Sequence, residues 1–256
     1  MPWLDGDSVL ERAYGPAEYA DATAGLQVDA IVYVQVDVTP AYGLLETQWA
    51  AQQDRVAAIV AFAPLEDGTI ARSYLDALKG IAKVRGVRRL IQAEAIDFAS
   101  RLVEGVRLLP EYDLSFDICI RHEQLPGTVD MVRLCPETRF ILDHLGKPAI
   151  KGRQLEPWRS QITELAALPN VVCKVSGAVT EADHALWTTG DLAPYVSHVL
   201  EQFGEDRVLF GSDWPVVTHA APYKRWVDTL RELTKDLSAE AQRKLWTDNA
   251  RRVYGL

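Results

Sequence analysis

Two short segments end in residue types that can perform acid–base chemistry. In FILDHLGKP (140–148) a run of β-forming residues is followed by Asp143 and His144. In RVLFGSDWP (207–215) a similar run is followed by Gly211, Ser212 and Asp213. In parallel α/β enzymes the catalytic side chains lie at the carboxyl ends of strands and on the loops that follow. The sequence therefore directs the search for function to His144 and Asp213.

Strand-like and helix-like segments alternate along the chain. The predicted strands, most of them rich in Val, Ile and Phe, cover residues 30–37, 56–64, 86–92, 114–120, 138–144, 170–177 and 207–213. The predicted helices cover residues 44–54, 70–83, 126–135, 155–168, 192–203 and 223–236. Asp191 and Ser238 are predicted N-caps, Ser238 of a last amphipathic helix. Such alternation implies parallel strands joined by right-handed crossovers, in an eight-stranded barrel or an open doubly wound sheet.

The ends of the strands favour the barrel. Neither GxGxxG nor GxxxxGK[ST] occurs, so the chain lacks the glycine fingerprint of a nucleotide-binding open sheet. Polar residues end nearly every strand, and they would converge at a barrel mouth. We therefore expect one domain over residues 1–256, an α/β fold of the (β/α)8 TIM-barrel type. Only seven strands are predicted, and a helix at 16–24 precedes the first, so the barrel is expected to lack its first strand.

Composition excludes several classes of function. The formal net charge is −9 and the pI about 5.1, which argues against binding nucleic acid or an anionic membrane. The N-terminal residues do not resemble a secretory signal, and no apolar stretch is long enough to span a membrane. These features predict a cytoplasmic protein. The three cysteines lack CxxC spacing and are predicted to be small buried hydrophobic residues.

The motifs together resemble a known family. ILDHLGKP, VVCKVSG followed by TEAD, VLFGSDWPV and the terminal NARRVYGL are similar to segments of the amidohydrolase superfamily, in its branch of small TIM-barrel lactonases. That branch includes enzymes that open sugar aldonolactones and pyrone dicarboxylate lactones. The resemblance extends over essentially the whole chain, and DHLGKP and GSDWP are its most specific parts. It implies a hydrolase on a TIM barrel.

The resemblance also implies positions for the site. In the family an HxH pair ends the first strand, a histidine ends the sixth and an aspartate ends the eighth. His144 matches the sixth-strand histidine and Asp213 the eighth-strand aspartate, whereas this sequence contains no HxH. The missing pair agrees with the missing strand, and both suggest that an N-terminal piece is absent.

The chemistry of lactone opening assigns roles to these two residues. The reaction needs a water deprotonated near neutral pH and a group that stabilises the carbonyl oxygen. Asp213 is predicted to be the general base. His144 is predicted to polarise the carbonyl, to orient the water or to bind a divalent metal. Because only His144 and Asp213 are available as ligands, where a catalytic metal usually has three, both a metal such as zinc and metal-free catalysis stay open.

Cationic residues near other strand ends suggest an oxygen-rich or acidic small-molecule substrate. The predicted substrate contacts are Arg121, Lys147 and Lys174, together with Trp214 beside the base. His122 and Arg88 are weaker candidates of the same kind. An inward direction for Lys174 is an even chance, because side chains alternate along a strand.

Three functions are consistent with the sequence. The first is a lactonase on a small sugar or acidic lactone, and the second is a decarboxylase that uses the same barrel. The third is a catalytically inactive chain, motivated by the missing HxH pair and strand. A barrel without one strand has two unpaired edges, so we expect the chain alone to be marginally soluble or a homo-oligomer.

Overall fold

The computed structural model describes residues 1–256, apart from the side chain of Pro2. Seven parallel strands form one sheet in the order of the chain. They are β1 (Ile31–Val34), β2 (Val56–Phe62), β3 (Val84–Arg88), β4 (Ser115–Ile118), β5 (Phe140–Leu142), β6 (Val171–Val175) and β7 (Val208–Phe210). Six lie inside their predicted runs, and β3 begins two residues before its run.

The sheet curls round an apolar interior. Side chains from both ends of the sheet meet in one cluster, which contains Val32, Val34, Ala58, Val60, Ile141, Val172, Leu209 and Tyr254. Alternate residues of the same strands, such as Ile59 and Ala61 of β2, pack outward in the larger cluster that the helices cover. The fold is therefore α/β, with a parallel sheet curved like that of a TIM-type barrel. Among the described residues, pairing runs from β1 to β7 and does not join β7 to β1.

Helices follow the strands and cover the outer face of the sheet. The α-helices are α1 (Pro16–Ala22), α2 (Gly43–Ala51), α3 (Gly68–Lys79), α4 (Val103–Val106), α5 (Leu125–Leu134), α6 (Trp158–Ala166), α7 (Thr189–Phe203), α8 (Tyr223–Leu233), α9 (Ala239–Arg243) and α10 (Asn249–Tyr254). Short 3-10 turns cover Pro2–Leu4, Pro40–Tyr42, Phe98–Leu102, Leu109–Tyr112, His122–Gln124, Asp143–Gly146 and Val216–His219, and Lys244–Asp248 is a π-helical turn. Within the described residues no helix is long and apolar enough to cross a membrane.

The local signals for helix starts were right in one case and wrong in another. Ser238 caps α9, since its Oγ accepts a hydrogen bond from the Ala241 N–H at 3.1 Å. The N-cap of α7 is Thr188, not the predicted Asp191. The Asp191 carboxylate instead accepts a hydrogen bond from the Thr188 N–H at 3.0 Å, as the third residue of a capping box does. The helix therefore begins a turn earlier than its apolar pattern indicated.

The N-terminal residues pack near the loop that follows β7. Asp7 and His219 form an ion pair with 3.0 Å between Oδ2 and Nε2. The rings of Tyr14 and Tyr19 both meet the Trp214 indole edge-on, with centroids 5.3 and 5.1 Å away. These contacts place the first helix beside the carboxyl end of the sheet, where the candidate site lies.

Candidate active site

The two motif residues meet at the carboxyl ends of β5 and β7. Nε2 of His144 lies 3.6 Å from Oδ1 of Asp213, and 12% and 11% of the two side chains is exposed. Both residues have left-handed backbone conformations, with φ of 54° and 55°. Such conformations are uncommon for residues with a Cβ and concentrate at functional sites, where the surroundings hold them. A small molecule entering from the carboxyl end of the sheet can therefore reach an imidazole and a carboxylate together.

The residues after β6 orient the His144 imidazole. Nδ1 of His144 lies 2.8 Å from Oγ of the buried Ser176. Gly177 lies against the ring, and a Cβ there would be 2.8 to 2.9 Å from His144 atoms. Burial lowers the pKa of His144 below its ordinary value, and the Asp213 and Asp143 carboxylates only partly oppose this effect. The imidazole is therefore neutral at pH 7.

A buried ion cluster lies next to this pair. Both oxygens of Asp143 are engaged, Oδ1 with Nζ of Lys174 at 2.6 Å and Oδ2 with a guanidinium nitrogen of Arg88 at 2.9 Å. Lys174 also donates to Oδ2 of Asp117 at 2.9 Å, and the same oxygen accepts from the Tyr254 hydroxyl at 2.8 Å. Burial disfavours the Asp143 carboxylate, but Lys174, and after it His144 and Arg88, outweigh burial and hold its pKa well below the ordinary range. Two cations thus lie against two carboxyl groups inside the sheet. Burial raises the pKa of Asp117, and the charge of Lys174 partly opposes this.

Polar residues from neighbouring loops form a rim round Lys147. Its Nζ donates to Oε1 of Gln92 and lies 3.9 Å from Oε1 of Glu181. Nδ1 of His122 lies 3.1 Å from the Lys147 carbonyl oxygen, and Nε of Arg121 donates to the Gln92 carbonyl at 3.2 Å. Arg121, His122 and Lys147 were predicted near the mouth from the sequence, and they lie together in the structure.

Glu181 is the rim residue that the sequence analysis missed. Burial raises the pKa of its carboxyl above the ordinary value, and the charge of Lys147 partly opposes this. Glu181 stands in the TEAD segment of the family resemblance, and that position was the available signal.

Trp214 forms a wall beside Asp213. Its peptide bond to Pro215 is cis. A cavity of about 410 Å³ adjoins the indole and is lined also by Arg12, Tyr14 and Thr218. The N-terminal residues therefore form a cavity beside Trp214, and neither His144 nor Asp213 lines it.

The donor atoms here do not fit a tightly bound metal ion. Among the described residues, ligand atoms of Cys119, Asp143 and His144 lie within 4.8 Å of one another. Both Asp143 oxygens, however, already accept from cations, and burial raises the pKa of the Cys119 thiol, which disfavours the thiolate that binds metals. His144 and Asp213 remain, as the sequence predicted, and two ligands fall short of the three usual for a catalytic metal.

The remaining predicted contacts have different surroundings. Lys174 does point inward, but its ammonium is enclosed by the Asp117 and Asp143 carboxylates and the residue is 8% exposed. Arg88 is likewise enclosed, with 11% of its side chain exposed. The structure thus groups the predicted residues into an exposed rim and a buried cluster. Both groups were predicted from the strand ends, and their burial and ion pairs distinguish them.

A parallel α/β sheet of this curvature, with a histidine and an aspartate at the carboxyl ends of its strands, matches the arrangement in which TIM-type barrels carry their active sites. A family model described as amidohydrolase matches residues 2–256, and the chain therefore belongs to the amidohydrolase family. It is a hydrolase, and the family resemblance of its motifs is confirmed.

Individual relatives agree with this assignment. L-fucono-1,5-lactonase of Burkholderia multivorans is 33% identical over 280 residues, which cover 100% of this chain and 90% of the relative. The crystal structure of an amidohydrolase from Burkholderia multivorans with bound HEPES superimposes with a TM-score of 0.92 at 32% identity and covers 100% of this chain and 93% of that one. A structure from the same organism with bound zinc gives a TM-score of 0.90, with the same identity and coverage.

Proposed function

We propose that this protein opens a small sugar or acidic lactone by attack of water, with Asp213 as the general base and His144 polarising the carbonyl. The observation that carries the proposal is the 3.6 Å separation of the His144 and Asp213 side chains at the mouth of the sheet. The lactonase activity in the name of the Burkholderia multivorans relative supports the substrate class. Lys147 and Arg121 supply positive charge beside this pair.

The hydrogen bond to Ser176 supports the role of His144. The Ser176 hydroxyl has two acceptors in reach, Nδ1 of His144 at 2.8 Å and the Lys174 carbonyl oxygen at 3.5 Å. Donation to the nearer acceptor leaves the proton of the neutral imidazole on Nε2, the nitrogen that faces Asp213. An Nε2–H group can donate a hydrogen bond to a lactone carbonyl oxygen and to the oxyanion that develops on it.

The steps balance with these groups alone. Asp213 takes a proton from water while the water oxygen bonds to the lactone carbonyl carbon, and the oxyanion is stabilised by His144 Nε2–H and by the positive rim. The ring C–O bond then breaks, and the departing alkoxide takes the proton back from Asp213. The hydroxy acid product ionises and releases one proton to the solvent. We assign the substrate's remaining polar groups to Arg121, Lys147 and His122, and its ring to the wall formed by Trp214.

No step is assigned to a metal ion. The zinc in the related crystal structure supports a divalent metal in that protein. In this chain His144 and Asp213 are the two residues that could share such an ion, and the Nε2–H form of His144 would have to give up its proton to do so. The steps above therefore use the side chains alone.

We further propose that the first strand of the barrel is not among the described residues. The open pairing between β7 and β1 supports this, because an eighth strand in the family's barrel would lie there. The edges of β1 and β7, which have no partner strand among the described residues, also support the expectation of a homo-oligomer. The cytoplasmic location stays a prediction.

A lactone panel tests the activity. Proton release is measured for sugar lactones and for carboxylate-bearing lactones, and carbon dioxide release is measured for aromatic acids. Saturable proton release from at least one lactone supports the proposal. Folded protein that releases carbon dioxide instead is a decarboxylase, and folded protein that does neither under any condition contradicts the assignment.

A further inference from the structure

Tyr254 is the first residue of a series of buried polar contacts that leads through Asp117 and Lys174 to Asp143. It lies in α10, the last helix, and is 1% exposed. Its ring belongs to the interior apolar cluster, and its hydroxyl donates to Oδ2 of Asp117 at 2.8 Å. The other oxygen of Asp117 is buried and has no hydrogen-bond partner among the described residues. Tyr254 and Lys174 therefore carry all the hydrogen bonding of that carboxylate.

From Asp117 the series of contacts continues to the turn at residues 143–147, which carries His144. Lys174 Nζ joins Asp117 to Asp143, with distances of 2.9 and 2.6 Å, and Asp143 precedes His144 in the sequence. Because a buried charge without its partner is costly, the positions of these three groups depend on one another. A displaced Asp117 carboxylate would move the ammonium and, with it, the Asp143 side chain.

The turn that Asp143 anchors is strained. The four residues 144–147 all have positive φ, of 54°, 53°, 69° and 50°, and only Gly146 lacks a Cβ. A residue with a Cβ is strained in this conformation and persists in it only where contacts hold it. Besides the two hydrogen bonds of Asp143, the Trp158 indole donates to the Leu145 carbonyl oxygen at 2.8 Å. The orientation of His144 thus depends on a small number of buried contacts.

We propose that Tyr254 is a positioning residue for His144, acting through Asp117, Lys174 and Asp143. The expected effect on turnover rests on the proposed function, whereas the structural link between Tyr254 and His144 does not. It gives Lys174 an indirect role in place of the predicted contact with substrate, because its ammonium is already enclosed by two carboxylates. On this proposal the C-terminal helix α10 supports catalysis through Tyr254, although it does not contact the substrate.

The test compares two buried tyrosines. Tyr254→Phe removes the hydroxyl and keeps the ring. Tyr195→Phe is the matched control, because Tyr195 is 2% exposed and its hydroxyl donates to the Gln154 carbonyl at 3.2 Å and not to the ion cluster. Imidazole ¹⁵N signals are recorded in histidine-labelled protein, and the signal lost in His144→Asn identifies His144. In the same proteins kcat and KM are measured with a lactone found by the panel.

The expected result is a shifted His144 signal in Tyr254→Phe and none in Tyr195→Phe. We expect kcat to fall roughly tenfold with KM changed less than about twofold, because a small displacement of a catalytic group reduces rate more than binding. An unmoved His144 signal, an equal shift in the control, or an unchanged kcat in an active protein overturns the proposal. If no lactone is hydrolysed, the proposed function fails and the NMR comparison alone decides the link. Should Tyr254→Phe not fold, Asp117→Asn breaks the same chain and takes its place.

Discussion

Nε2 of His144 lies 3.6 Å from Oδ1 of Asp213, although β6 separates the strands that carry them. The sheet's curvature and two left-handed backbone positions bring these side chains together. The contact is longer than a hydrogen bond, so the pair is close enough to act on one water and one carbonyl without being committed to each other.

Gly177 is expected to be essential to the orientation of His144. In Gly177→Ala the new Cβ would lie 2.8 to 2.9 Å from His144 atoms, and the φ of 63° adds strain. We expect loss of most activity and a free energy of unfolding lower by about 1–3 kcal/mol. Gly204→Ala is the matched control, because Gly204 has a φ of 69° and nothing within 4 Å of its added Cβ. Equal loss of activity in both variants would show that the contact with His144 does not matter.

Ser176 is expected to fix the position of the imidazole proton. In Ser176→Ala, Nδ1 of His144 loses its 2.8 Å partner, so the Nε2–H form is no longer favoured. We expect kcat to fall roughly tenfold or more, within the range of general acid–base effects. Steady-state kinetics give the result, and Ser100→Ala, at an exposed serine that bonds the Asp97 carbonyl, is the control. Full activity of Ser176→Ala would exclude this tautomer argument.

Lys147 is expected to distinguish acidic from neutral lactones. Its ammonium lies 3.9 Å from Glu181, and its removal takes one positive charge from the rim. In Lys147→Met we expect KM for a carboxylate-bearing lactone to rise roughly tenfold or more, and KM for a neutral sugar lactone to change little. Lys151→Met controls for charge, because 72% of the Lys151 side chain is exposed. A similar change in KM for both kinds of lactone would rule out recognition of a carboxylate by Lys147.

Glu46 is expected to make stability depend on pH. Burial raises the pKa of its carboxyl above 4.5, although hydrogen bonds from the Val36 N–H and the Tyr33 hydroxyl oppose this. The folded state therefore binds this proton more tightly than the unfolded chain does. The resulting stabilisation is complete below the ordinary pKa of the carboxyl and is lost as pH rises through its raised pKa in the folded state.

Comparison with Glu46→Gln isolates that contribution. The free energy of unfolding of the unaltered protein, minus that of Glu46→Gln, should fall as pH rises from about 4 toward neutrality. Chemical denaturation over this range measures the difference, and Glu164→Gln on the exposed surface is the reference. A difference independent of pH would mean that Glu46 is not the source.

The sequence predicted the strands and the positions of His144 and Asp213 at strand ends because both are local signals. Apolar runs such as 138–144 and 170–177 mark buried strands, and polar residues at their ends mark the mouth. Side-chain partners are not local, however. Lys174 stands in a strand and could bind a substrate or a carboxylate, and only the neighbouring β4 and β5 decide which carboxylates it meets. Tyr254 lies far along the chain from Asp117, so no spacing in the sequence could pair them.

The most direct test of the account measures lactone hydrolysis by Asp213→Asn. Proton release is followed with a lactone that the unaltered protein hydrolyses, and Asp130→Asn, whose side chain is 74% exposed, is the control. We predict that Asp213→Asn folds normally and loses roughly 10²–10⁴-fold in kcat, while the control keeps full activity. Turnover by Asp213→Asn at the rate of the unaltered protein would contradict the assignment of Asp213 as the general base.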